Sequence, residues 1–158
     1  MAESKLIKSL LLPMKTSNVI VPNASIAEIV SVEHVLPVND APPWMLGYLS
    51  WRRRSVPLLS FDAVQQGEPD FLTPRSKIAV LYSISEDATF PYMALLMQRA
   101  PKVMNIEPNS IKQAGADQNS GNIKLVIQNV VIGSGDDEIP ADILDLKAVE
   151  ATFKQAGY

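Results

Sequence analysis

The stretch Met45-Leu46-Gly47-Tyr48-Leu49-Ser50-Trp51-Arg52-Arg53-Arg54-Ser55-Val56-Pro57-Leu58-Leu59 decides how this chain is read. Two short apolar runs flank three consecutive arginines. A charged tip between two such runs is the pattern of a β-hairpin, with residues 45–51 and 55–59 as its arms. Pro57 has no N–H for a strand ladder, which places it at a bulge or a sheet edge. Directly afterwards Ser60 can cap a short helix over 61–66, its hydroxyl accepting an otherwise unpaired backbone N–H, and Gly67 can end that helix.

Upstream of the hairpin, residues 6–15, 18–22 and 28–35 are short runs rich in Leu, Ile and Val, separated by turn residues, and read as three strands. Pro37, Pro42 and Pro43 connect them to the hairpin. A polar connector over 68–76, with Pro69 and Pro74, leads to further strands over 77–84, 90–98, 102–106, 123–132 and 139–144. Pro101 belongs at a bulge or edge for the same reason as Pro57. Residues 114–122, with Gly115 and Gly121, read as a loop, and 133–137 as a hairpin turn. Asp145 caps a final helix that runs to about Gln155.

Two runs of about five short strands, each ending near a short helix, predict a mainly β chain of paired small barrels, because closure removes free strand edges. Residues 17–66 are assigned mainly to the first barrel and 77–132 mainly to the second, with the terminal segments crossing between them.

Composition narrows the function. A chain of 158 residues, 47% hydrophobic and 20% charged, is long enough to bury a core as one domain. A net charge of −3 offers no broad attraction to nucleic acid or an anionic membrane. The absence of cysteine removes disulfides and thiolate chemistry and suits a reducing cytoplasm. Residues 6–14 are interrupted by Lys8 and Pro13 and lack a cleavage pattern, so they read as a strand rather than a signal peptide or membrane span.

Candidate chemistry is sparse. His34, the single histidine, could form a hydrolytic constellation with Ser31, Glu33 or Asp40, but no nucleophile elbow accompanies it, and an exposed side chain at a strand end is the simpler reading. Asp136, Asp137 and Glu138 lack the alternating spacing of a calcium loop. Gly133-Ser134-Gly135 lacks the third glycine and following helix of a dinucleotide fingerprint. Met93, Met97 and Met104 read as core filler. Neither catalytic residues, cofactor nor metal is assigned. Arg52, Arg53 and Arg54, flanked by Trp51 and preceded by Trp44, are the most informative group, since arginine and tryptophan are enriched at interface hot spots. Nucleic-acid binding through the same triplet is the lesser alternative, because no basic stripe or repeated aromatics flank it.

Glu28-Ile29 and the segment Gly47 to Leu59 resemble the CheW-like family, whose pattern is an E-I strand end followed by G-v-x-N-L-R-G-x-v-x-P-v-x-D-L. Gly47, Arg52 and Pro57 fall in register. Ala94-Leu95-Leu96-Met97 is similar to the family's G-i-x-V-D strand, Val103-Met104-Asn105-Ile106 to its V-l-x-l, and Ile143-Leu144-Asp145-Leu146 to its closing i-l-d-l. Ser50, Trp51, Arg53, Ser60 and Gln98 depart from the pattern, and this divergence most resembles the ChpC-type accessory adaptors of the twitching-motility (type IV pilus) chemosensory system. The resemblance implies two five-stranded SH3-like barrels around a shared core, without catalysis, and a cytoplasmic scaffold for signal transduction in chemotaxis. Its implied partners are a CheA-type histidine kinase regulatory domain and the cytoplasmic tip of a methyl-accepting chemoreceptor. It also implies a receptor groove using Ile26, Glu28, Gly47 and Arg52, with Trp51 beside them.

Overall fold

The computed structural model describes residues 6–67, 70–85, 87–113, 125–133 and 138–158. The loop expected at 114–122 and most of the turn at 133–137, including Asp136 and Asp137, lie outside the described residues. The strands are β1 (Ile7–Pro13), β2 (Asn18–Pro22), β3 (Ile26–Ser31), β4 (Val35–Leu36), β5 (Met45–Trp51), β6 (Arg54–Leu59), β7 (Lys77–Tyr82), β8 (Tyr92–Met97), β9 (Lys102–Ile106), β10 (Ile111–Gln113), β11 (Val126–Ile132) and β12 (Ile139–Leu144). Two helices, α1 (Phe61–Gln66) and α2 (Leu146–Gln155), complete the regular elements. The fold is mainly β with a C-terminal helix, as expected.

The strands form two six-stranded sheets, ordered β10-β11-β12-β2-β1-β9 and β3-β7-β8-β6-β5-β4. Six replace the expected five because the short strands β4 and β10 add to the ends. In each sheet the two outermost strands are consecutive in the chain, Ile106 leading to Ile111 and Ser31 to Val35. Those links span at most about 18 Å, whereas the edges of a flat six-stranded sheet lie about 24 Å apart. Both sheets must therefore curl back on themselves.

The division of strands between the sheets corrects the expectation. One sheet comprises residues 26–97 and the other joins 7–22 to 102–144, so β2 leaves the first unit and β7 and β8 enter it. The physical reason is that β1 has two partners distant from one another in sequence, β2 through Leu10↔Val21 and β9 through Leu10↔Val103. Alternation marks a segment as a strand but carries no information about such partners. Of the two places expected for Pro57, the sheet edge is excluded, since β6 lies between β5 and β8, while a bulge at Leu46 stands just past the neighbouring pair Gly47↔Leu58. The parallel pairing to β8 covers only Leu58 and Leu59, so the missing donor falls just ahead of it.

Strand alternation builds three apolar layers. Leu10, Leu12, Val19 and Val21 face a central core shared with Leu81, Met93, Leu95, Met97 and the α2 residues Val149 and Phe153. Leu11 and Ile20 point the other way, into the interior of their own curled sheet. Leu49, Trp51, Val56 and Leu58 line the interior of the second. Met93 and Met97 are fully buried and Met104 is half-buried, as core filler should be. Burying one such large apolar side chain stabilises by about 1.5–3 kcal/mol.

Both helices start as the sequence reading places them. Ser60 Oγ accepts from Ala63 N at 3.1 Å, Gly67 closes α1 at φ 73°, and Asp145 Oδ1 accepts from Ala148 N at 3.1 Å. Helix α2 carries one buried acid, Glu150, which accepts from Ile84 N at 2.8 Å and Ser85 N at 3.2 Å. Lys154 Nζ lies 3.1 Å from both Glu150 and Asp87, tying the helix to the segment after β7. Burial would raise the Glu150 carboxyl, but donors from Ser85, Ile84 and Lys154 outweigh it and hold the group below its ordinary value.

Candidate interaction site at the arginine hairpin

Trp51 and Arg54 form the last pair of the β5–β6 ladder, leaving Arg52 and Arg53 as a two-residue loop at φ 47° and 63°. Positive φ at both positions is the type I′ turn, whose twist matches that of the flanking strands and which ordinarily uses Asn-Gly. Two arginines hold it here despite a left-handed penalty of roughly 1–2 kcal/mol each. Arg53 is exposed and makes no polar contact among the described residues. We therefore expect Arg53→Gly to stabilise the protein by about 1 kcal/mol, raising the thermal midpoint by about 2–4 °C. An unchanged or lowered midpoint in a melting experiment would contradict the strained turn.

The hairpin also closes a seam. Glu28 stands on β3 at one end of its sheet, four strands away from β5, yet Trp51 Nε1 donates to Glu28 Oε1 at 3.0 Å. Arg52 Nη2 reaches the same oxygen at 3.2 Å, and its guanidinium lies 4.5 Å over the Trp51 ring. These contacts bridge the gap that curling leaves between the two sheet ends. The indole is 6% exposed, while the Arg52 and Glu28 side chains are 65% and 44% exposed. The ion pair is thus a surface pair that contributes about 1 kcal/mol or less. Its main effect is to orient the guanidinium, leaving most of its donors facing solvent.

Of the five residues expected at the site, the structure brings together Glu28, Trp51 and Arg52. Ile26 is separated from them by a bulge at Ala27, which breaks the two-residue alternation so that Ile26 packs on the central core while Glu28 reaches the hairpin. Gly47 is buried at φ 146°, and a Cβ there would lie 2.3 Å from the Leu36 carbonyl oxygen.

Sequence reasoning missed the aromatic half of the patch. Tyr92 meets Trp51 edge-on at 4.8 Å, Tyr82 lies 5.7 Å beyond it, and Arg54 covers the Tyr92 ring at 5.4 Å. Only the pairing of β7 with β8, which sets Tyr82 opposite Tyr92, makes this ladder, and no local motif announces it.

His34 is exposed, and its side chain makes no hydrogen bond or ion pair among the described residues, so the imagined hydrolytic constellation is not assembled. Among the described residues no group of acids and histidine could hold a metal ion. Among the described residues no helix is long and apolar enough to cross a membrane.

A family model described as the CheW-like domain matches residues 8–151. The chain belongs to the CheW-like family. Among solved structures it is similar to the scaffolding protein TtCheW from Thermoanaerobacter tengcongensis, at 13% identity and a TM-score of 0.69, over 88% of this chain and 90% of that one. At that identity the likeness establishes a common fold. No curated protein matches. The CheW-like match takes in β3, the hairpin and most of α2, so the Glu28–Trp51–Arg52 cluster lies within the family domain.

Proposed function

We propose that this chain is a non-catalytic cytoplasmic adaptor that couples the cytoplasmic tip of a methyl-accepting chemoreceptor to the regulatory domain of a CheA-type histidine kinase. We propose further that it serves a chemosensory system controlling type IV pilus twitching motility. The observation that carries the reading is the near full-length match to the CheW-like domain. The hairpin supplies a chemically suitable contact. Arg52, Trp51 and Glu28 present a directed guanidinium on an aromatic base, suited to the carboxylates and helix-end carbonyls of a receptor tip. Ile26 and Gly47 act from behind, Ile26 by packing β3 on the core and Gly47 by letting β4 close onto β5.

The test is co-sedimentation of the purified chain with a receptor-tip fragment and a kinase regulatory domain, taken in parallel from a pilus system and a flagellar one. A ternary complex with the pilus pair is expected. Failure to bind either component from either system would sink the adaptor reading, and assembly only with the flagellar pair would reject the pilus assignment. His34→Ala should leave assembly unchanged.

A further inference from the structure

The curled sheet built from both ends of the chain is incompletely filled. A pocket of about 180 Å³ opens into its interior, and every one of its six strands contributes to the wall, among them Ser9, Ile20, Ile106, Ile111, Val130 and Ile143. Most of the wall is buried, while Ile7 at the start of β1 and Pro22 at the end of β2 are exposed, so the pocket opens at that end of the paired strands.

Ser9 does not fit a purely structural reading of this interior. It lies on β1 between Ile7 and Leu11, on the face that alternation turns toward the apolar interior, where a third aliphatic residue would be expected. It is 4% exposed, lines the pocket, and its hydroxyl finds no hydrogen-bond partner among the described residues. A buried hydroxyl without a partner is unfavourable, and a leucine there would fill the space. The pocket is larger than the roughly 150 Å³ apolar cavity that suffices to hold benzene in another protein.

We infer that this pocket is a binding site for a compact apolar molecule of about one ring's size that carries a single hydrogen-bonding group, the ring resting against the isoleucines and the polar group meeting Ser9 Oγ. The site shares no residue with the arginine hairpin and does not depend on the adaptor reading.

The experiment is a titration of the full chain with phenol and with benzene, followed by methyl NMR and by the shift in thermal midpoint. Both should bind saturably and perturb the pocket isoleucines, with phenol about fivefold tighter than benzene because only phenol pairs with the hydroxyl. Ser9→Ala, which removes one oxygen and keeps the fold, should erase that preference while retaining benzene binding. Ser9→Leu should bind neither. Absence of saturable binding to the parent protein, or a phenol preference that survives Ser9→Ala, would overturn the assignment.

Discussion

Gly47→Ala is expected to be among the most damaging single-methyl additions in the chain. The new Cβ would stand 2.3 Å from the Leu36 carbonyl oxygen and 2.9 Å from its carbon, and both are backbone atoms that cannot swing aside. Relief requires β4 to separate from β5, breaking the pairs Val35↔Leu49 and Leu36↔Tyr48 at one end of the sheet. Overpacking and a left-handed φ of 146° together place the loss at about 4 kcal/mol, which lowers the midpoint by about 8–16 °C for a chain of this size. Gly67→Ala isolates the backbone component, since φ there is 73° with open space around the added carbon. Its loss should be about 1 kcal/mol. Similar losses for the two variants in thermal melts would show that the Leu36 contact is not the cause.

The second large effect belongs to Glu150. Removing its carboxylate by Glu150→Ala strands the Ile84 and Ser85 N–H groups and deprives Lys154 of a partner. Loss of these part-buried, charge-assisted hydrogen bonds puts the cost at about 2 kcal/mol, or a midpoint lower by about 4–8 °C. Glu150→Gln keeps an acceptor for both N–H groups and should lose about 1 kcal/mol.

The pH dependence has a definite sign. The folded state holds Glu150 below its ordinary 4.5, so its contribution is present above that value and disappears as pH falls through the lower folded value. Asp87 is held at about 2 by the Thr89 hydroxyl, the Thr89 N–H and Lys154, so its pairing with Lys154 persists until pH falls toward that value. The difference in midpoint between parent and Glu150→Ala should therefore shrink as pH drops below about 4.5. A constant difference down to pH 3 would refute the linkage.

What the sequence reveals here follows the range of the interactions. Helix α1 is legible to the residue because Ser60 and Gly67 act on neighbours within a few positions. The hairpin is legible because three arginines interrupt two apolar arms, and Arg53 adopts the positive φ, 63°, that glycine ordinarily supplies. The assignment of strands to sheets is not legible. Residues 77–82 and 92–97 are buried on both faces and could have been central in either sheet, and it is their pairing with β3 and β6 that settles it. The site divides the same way. Trp51 and Arg52 adjoin in sequence, whereas Tyr92 reaches Trp51 only through sheet order. Glu150 is the one miss with an available signal, an acid beside the core residue Val149 with Lys154 one turn later.

The adaptor account rests most directly on Arg52. Its guanidinium is fixed by Glu28 and Trp51 yet largely open to solvent, while Arg54 lies over Tyr92 and Arg53 projects freely. Truncating a central interface arginine commonly weakens binding by ~2 kcal/mol or more, about thirtyfold, and a rim arginine by far less. Because the Arg52–Glu28 pair is exposed, its removal should leave the thermal midpoint close to that of the parent. A double-mutant cycle with Glu28 separates the internal pair from the contact, since coupling in the free protein's stability reports the pair alone. The decisive measurement is titration calorimetry of the parent, Arg52→Ala and Arg54→Ala against the cognate receptor-tip fragment. Arg52→Ala should bind about thirtyfold more weakly and Arg54→Ala nearly as the parent does, with folding unaltered in both. Equal affinities for the parent and Arg52→Ala would contradict the adaptor account.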